Sequence, residues 1–307
     1  MTDYEDVATI RHRRFEALER VPLTRLNGGQ GAVGGGWAAV KDVFRNKEML
    51  DLIVRRDLKA RYKDSSLGFF WTLVRPIVQL IIYYVVLGHF LGAARGIPDF
   101  AIYIYAGLTI FTLFSEIVLG GAGSIVANAG LVKKIYLPRE IFPLASVGSA
   151  MFNFGIQLLI LIAATIAFGA FPWHAELLYA IPAVLIVVLY GTALGLLLSA
   201  ANVYFRDIQY LIEVVMMLLM WASPILYSWT MVRDAVPAQW MLDVYTDNPL
   251  TLAVLGFQQA FWVAGGPDFA PEQLLLRMLI AIFIGLFLVV GAHAVFRRLQ
   301  GDFAQAL

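Results

Sequence analysis

The 307-residue chain has no cysteine, so it has no disulfide, no thiolate nucleophile and no sulfur-ligated metal. Charge is scarce. Asp, Glu, Lys and Arg make up 15% of the residues, against about 25% in soluble domains. There is no Gly-x-x-x-x-Gly-Lys-Ser/Thr loop, so the chain cannot hydrolyse ATP by that route. No His or carboxylate pair has metal-ligand spacing on one helix, and no dense relay of ionisable residues suits a proton pump. The two halves show no repeat of the kind secondary transporters carry. Cytoplasmic-side acids such as Asp42, Asp51, Asp64 and Asp207 are scattered, unlike the clustered acids of a transferase acting on polyprenyl-phosphate sugars. What is abundant is apolar: 60% of residues, with a mean hydropathy of +0.74. A fold with a wet exterior cannot hide that much apolar surface, which excludes a soluble enzyme, a disordered chain and a disulfide scaffold.

Lipid is therefore the solvent, and the fold class is an all-α integral membrane protein. Six runs approach the roughly 20 apolar residues needed to cross about 30 Å of hydrocarbon. They are 69–91, 100–122, 144–170, 177–201, 210–229 and 274–296. The fifth carries Pro224 and is expected to kink or break. Thirteen Lys and Arg precede the first run. Lys133, Lys134, Arg139, Arg206, Arg297 and Arg298 fall on the same side, while the opposite side holds Arg95 and Arg233, with Arg277 at the edge of the last run. Basic loops stay inside, so both termini are expected in the cytoplasm. No signal peptide is expected, because no long apolar stretch follows the charged N-terminus for over sixty residues.

Four parts follow: a mobile cytoplasmic tail (1–46), an interfacial amphipathic helix (47–68), a six-span domain (69–296) and a cytoplasmic C-terminal tail (297–307). The glycines at 28–36 read as linker and lack the context of a phosphate cradle. In the interfacial segment Leu50, Val54, Leu58 and Tyr62 form an apolar row beside the basic Arg55, Lys59 and Lys63, a pattern that holds a helix at the headgroups. Asp57 and Arg61 interrupt the apolar side and are spaced to pair with each other. The loop 128–143 carries Leu131, Val132, Ile135, Tyr136 and Leu137. Apolar residues in a short wet loop suit either a protein partner or packing on the chain's own helices. The apolar segment 249–262 is too short to span, so a re-entrant or interfacial outer hairpin is expected. Glu116 and Glu213 lie inside apolar runs, either on a pathway or as polar glue between helices.

Three stretches are more specific. Arg56-Asp57-Leu58-Lys59-Ala60-Arg61-Tyr62-Lys63, followed by Ser65-Ser66-Leu67-Gly68-Phe69-Phe70-Trp71 and Arg75-Pro76, resembles the opening of the permeases of polysaccharide-exporting ABC transporters, the O-antigen and teichoic acid exporters. The segment from Val132 to Ile141 is similar to that family's loop between spans two and three, and Asn202-Val203-Tyr204-Phe205-Arg206-Asp207-Ile208 to its segment between spans four and five. The overall flavour resembles the mycobacterial-type subunit that exports cell-wall galactan. The resemblance implies a homodimeric channel driven by two copies of a nucleotide-binding ATPase, which bind ATP and Mg; this chain itself needs no cofactor and meets no nucleic acid. It implies location in the bacterial cytoplasmic membrane and a lipid-linked polysaccharide as substrate. It makes Leu131, Val132, Lys133, Lys134, Ile135, Tyr136, Leu137, Pro138, Arg139 and Glu140 a cytoplasmic coupling helix. Arg55, Arg56, Lys59 and Lys63 would receive a pyrophosphate or lipid headgroup. Tyr83, Tyr84, Trp221 and Tyr227 would face glycan in the channel, and 249–262 would gate it. The same frame could instead serve a lipid, a drug or another small hydrophobic substrate.

Overall fold

The computed structural model describes residues 47–62, 70–90, 92, 96–134, 137–266 and 269–307. The expected 1–46 tail, Lys63, Ile135 and Tyr136 lie outside the described residues. The described residues are helical, with no strand among them. In chain order the helices are α1 (Lys47–Tyr62), α2 (Phe70–Ile82, continued by a π-helical stretch Tyr83–Phe90), α3 (Phe100–Ala127), α4 (Ala129–Lys134) and α5 (Ile141–Ala167). A 3₁₀ turn (Ala175–Tyr179) leads into α6 (Ala180–Tyr204). Then come α7 (Ile208–Ala222), α8 (Trp229–Ala235), α9 (Gln239–Thr246), α10 (Pro249–Phe261), α11 (Leu274–Leu299) and the short α12 (Phe303–Ala306).

The centre of the bundle is α3. Every residue from Phe100 to Phe111 is buried, as expected of a helix that is apolar all round and surrounded by others. It packs against α5, α6 and α10. Its contact with α6 is a backbone crossing built on small residues. Gly121 faces Gly195, and Gly191 sits beneath Ile117. Such pairs at four-residue spacing let helices approach where lipid offers no hydrophobic drive between them. The outer helix α11 packs on α6 and turns Leu279, Ile280, Phe283, Leu286, Phe287 and Val290 outward. A continuous exposed apolar face of that kind belongs in hydrocarbon.

Among the described residues four helices are long and apolar enough to cross a membrane: 100–127, 141–167, 175–204 and 274–299. The two other expected spans, α2 and α7, are shorter as apolar helices. The fifteen residues of α7 rise about 22 Å, less than the hydrocarbon thickness. The cause is Ser223-Pro224, where α7 stops; proline supplies no N–H to continue the ladder.

The segment 249–262 is not a hairpin. Residues Pro249–Phe261 form one helix, α10, started by the Asn248 side chain accepting from the Leu250 N–H at 3.0 Å and by proline at the first position. All of α10 but Pro249 and Gln259 is buried, wedged between α3, α6 and α11. Its shortness reflects burial in protein, where a helix need not match the bilayer.

Candidate functional site

Two ends of the bundle carry polar chemistry. At one end α1, the loop after α3, the ends of α6 and α11, and α12 meet in a second apolar cluster of Ile53, Ile125, Val132, Ile141, Val203, Phe296 and Phe303. The helix α1 lies along α5 through Ile53 and Val54, with Val54 against Gly148. Among its described side chains the most buried is Ile53, beside the expected row, because helix 3.6-residue periodicity drifts off a strict four-residue row. The Arg56 guanidinium holds the Asp57 carboxylate at 2.7 Å and donates to the Asn128 side-chain carbonyl at 2.7 Å, while the side chain of Arg61, the expected partner of Asp57, lies outside what the structure describes. Asn128 in turn donates to the Ser124 carbonyl, closing the end of α3. Arg55 pairs with Asp51 at 2.7 Å, and Lys59 is exposed.

Among its described residues the expected coupling segment is helical over α4, up to Lys134. Val132 is buried and anchors it, while Lys133 and Lys134 project into the open. Leu131, Leu137, Pro138 and Arg139 are half-buried, and Arg139 lies over the Phe303 ring at 5.6 Å. Glu140 departs from the expectation of a partner-facing residue. It is buried, with its carboxylate 3.3 Å from Nε2 of His293 on α11. Burial raises its pKa, but the His293 hydrogen bond, its own backbone N–H and the nearby charges of His293 and Arg297 outweigh that and hold it below the usual value. This pair and the Phe303 anchor clamp the C-terminal segment to the loop. Neither was visible beforehand, because His293 lies more than 150 residues away in sequence.

At the opposite end, the break after α7 is held by a polar knot. The Tyr103 hydroxyl lies 2.9 Å from the Pro224 carbonyl and 2.7 Å from that of Tyr227, and Gln258 of α10 donates to the Pro224 carbonyl at 2.9 Å. Backbone freed by a helix break must find partners inside the protein at this depth, and these side chains provide them. Of the four aromatics expected to face glycan, Tyr227 spends its hydroxyl inside the chain, donating to the Trp221 carbonyl and touching Tyr245. Trp221 is exposed on α7, Tyr83 is half-buried against the core, and Tyr84 lies edge-on to His89. Glu116 accepts from Asn153 of α5 at 2.8 Å, which fits polar glue between α3 and α5. Glu213 is exposed on α7. No group of His, Cys, Asp and Glu among the described residues could hold a metal. Tyr103 and Gln258 escaped the sequence reading, although a glutamine in an apolar stretch is itself a signal for a buried hydrogen bond.

The sequence model of the ABC-2 type transporters matches residues 49–262, which runs from α1 through the knot to the end of α10. The chain belongs to the ABC-2 type transporter family. It is 29% identical over 269 residues to the O-antigen export system permease protein RfbA of Myxococcus xanthus, covering 87% of this chain and 98% of that protein. It is 27% identical over 261 residues to RfbA of Klebsiella pneumoniae, covering 85% and 95%. It is 23% identical over 255 residues to the polysialic acid transport protein KpsM of Escherichia coli, covering 79% and 92%. The match takes in every helix that builds the two polar ends except α11 and α12, so the ABC-2 frame includes both the α4 projection and the Pro224 knot.

Proposed function

We propose that this chain is the channel-forming subunit of an ATP-driven exporter that carries a polyprenyl-pyrophosphate-linked polysaccharide across the bacterial cytoplasmic membrane, with both termini inside. The observation that carries the reading is similarity along nearly the whole length of permeases named for O-antigen and polysialic acid export. Two copies form the conduit and two ATPase subunits, which bind ATP and Mg, dock beneath. Galactan is the narrower substrate suggested by the overall resemblance. The α4 geometry supports the docking: a buried Val132 fixes the segment while the exposed Lys133 and Lys134 set register on an acidic partner surface. The Arg56–Asn128 bond ties α1 to the same loop, so displacement of α4 is felt at the membrane surface. There Lys59 is free of the pairs that hold Arg55 and Arg56, and with Lys63 it is suited to meet the pyrophosphate. Tyr83, Tyr84 and Trp221 are assigned to the wall between two copies, with Tyr227 bracing Trp221 from behind.

The test is co-purification from native membrane. The wild-type chain should bring down a nucleotide-binding subunit, and Lys133→Glu with Lys134→Glu should lose it while the chain still inserts and purifies. Cells depleted of the chain should accumulate undelivered lipid-linked glycan. Glycan export that continues without any ATPase refutes the proposal. ATPase activity of the complex that answers to hydrophobic drugs and not to glycolipid would transfer the chain to the lipid and drug class.

A further inference from the structure

The central helix α3 has one open stripe. Between Phe111 and Gly123 the residues that are not buried are Thr112, Ser115, Glu116, Leu119, Gly120 and Gly123. At 3.6 residues per turn they share an arc of about 140°. Leu119 is the one large apolar side chain among them, whereas the outward residues of α11 from Leu279 to Val290 are all apolar. The stripe is the floor of a groove with polar banks. On α5, Ser146 stands beside Gly120, its Cβ 3.3 Å from where a Gly120 Cβ would lie, and Asn153 donates to Glu116 at 2.8 Å. On α7, Gln209 stands as close to Gly123, and Glu213, one turn further along, is exposed. The groove also borders polar atoms that the protein does not satisfy. The Oγ atoms of Ser115 and Ser149 and the Oδ1 of Asn153 are buried and meet no partner among the described residues. Ser149 is 2% exposed and lies between the two rungs that join α3 to α5, Gly120 with Ser146 and Glu116 with Asn153.

Water is the partner that such atoms take. Inside a bilayer, water reaches a groove only along an aqueous path, and an ionisable side chain at that depth faces protein or such a path. Glu116 does both: Asn153 steadies it, and it is still half-exposed. The groups named on the stripe and its banks are hydroxyls, amides and carboxylates, with no cation, and this set pairs with hydroxyl groups. We infer that this stripe of α3 is a wet wall of the conduit along which a hydroxyl-rich chain passes, and that Glu116 is a fixed, ionised carboxylate on that wall. The inference rests on the exporter reading above and adds α3 to the aromatics of α2 and α7 as a wall element.

The chain has no cysteine, so a single introduced thiol reports on one position. Thr112→Cys and Leu119→Cys, a turn either side of Glu116, are treated in native membrane fragments open to both faces. The reagents are two membrane-impermeant methanethiosulfonates, one bearing trimethylammonium and one bearing sulfonate. Phe283→Cys on the outward face of α11 and Ile110→Cys in the core are the dry references. The stripe thiols should react at least about tenfold faster than both references. With each rate corrected by that of a free thiol, Thr112→Cys should favour the cationic reagent by about tenfold, the effect of a unit charge one helical turn away in water. Glu116→Gln should remove most of that preference while the thiol stays reactive, a result that loss of a glue contact alone would not produce. Stripe thiols as slow as the references overturn the wet wall, and a preference unchanged by Glu116→Gln overturns the wall charge. Inverted vesicles labelled at Thr112→Cys should lose ATP-dependent glycan transport, while those labelled at Phe283→Cys keep it; transport that persists in the former overturns passage along the stripe. The labelling itself needs no export. If the wild-type gene fails to restore surface polysaccharide in depleted cells, the exporter reading falls, and the reaction rates still decide whether the stripe is wet.

Discussion

The crossing of α3 and α6 makes two glycines that look equivalent in sequence respond differently to alanine. A Cβ on Gly121 would lie 2.8 Å from the Gly195 Cα, a backbone atom that cannot swing aside. Ordinary carbon contacts sit at about 3.5–4.0 Å, so the helices must part by roughly 0.7 Å or more. Overpacking of this kind costs about 1–3 kcal/mol. The intrinsic preference of a helix for alanine returns about 0.5–1 kcal/mol, which leaves Gly121→Ala destabilised by roughly 0–2.5 kcal/mol, centred near 1. At Gly195 the added Cβ meets the Ile117 carbonyl oxygen at 3.4 Å and the Gly121 Cα at 3.6 Å, close to ordinary contact. There the helix preference offsets the crowding, and Gly195→Ala should fall within about 0.5 kcal/mol of wild type. Gly155 on α5 has nothing within 4 Å of its virtual Cβ, so Gly155→Ala should be neutral or slightly stabilising. The assay is unfolding of the purified full chain in mixed micelles, by heat or by added SDS, with the three variants side by side. Equal loss at 121 and 195, or a gain at 121, refutes the packing argument, since residue type and helix environment are otherwise matched.

Replacing Glu140 by Gln should destabilise the junction of loop and C-terminal segment by about 1–3 kcal/mol, read as easier proteolysis after α11. Because the folded carboxyl is held below its unfolded value of about 4.5, its stabilisation is complete above that value and is lost as pH falls through the lowered one. Wild-type protease protection should drop on acidification while Glu140→Gln stays flat, and parallel curves would refute the pair. Asn248→Ala should cost about 1 kcal/mol in the micelle assay, the ordinary loss of a helix cap, and no change would show that Pro249 alone starts α10. Gln258→Leu should leave the Pro224 carbonyl short of a donor and raise amide exchange over 223–228, and unaltered exchange would show that Tyr103 suffices.

What the sequence made legible follows from which forces are local. Hydropathy acts over one helix length, so the four long spans and the break at Pro224 could be read directly. The α10 helix could not. Its thirteen mostly apolar residues announce burial, but whether lipid or protein does the burying depends on α3, α6 and α11 being assembled around it. The same limit hides the polar knot. Tyr103, Pro224 and Gln258 are each unremarkable in their own stretch, and only their meeting across more than 100 residues turns a broken helix into a fixed one.

The site splits along the same line. Lys133 and Lys134 were readable as projecting cations, because a charged pair in a short loop has nowhere to hide. The burial of Glu140 was not readable, because its partner His293 arrives from the last helix. That pairing has a mechanical consequence. With Glu140 bound to α11 and Arg139 over Phe303, the loop that carries Lys133 and Lys134 is fastened on its C-terminal side to the last helix, and through Arg56 and Asn128 on its N-terminal side to α1. Under the proposed docking, a push on α4 would be passed to α1 and α11 through these attachments.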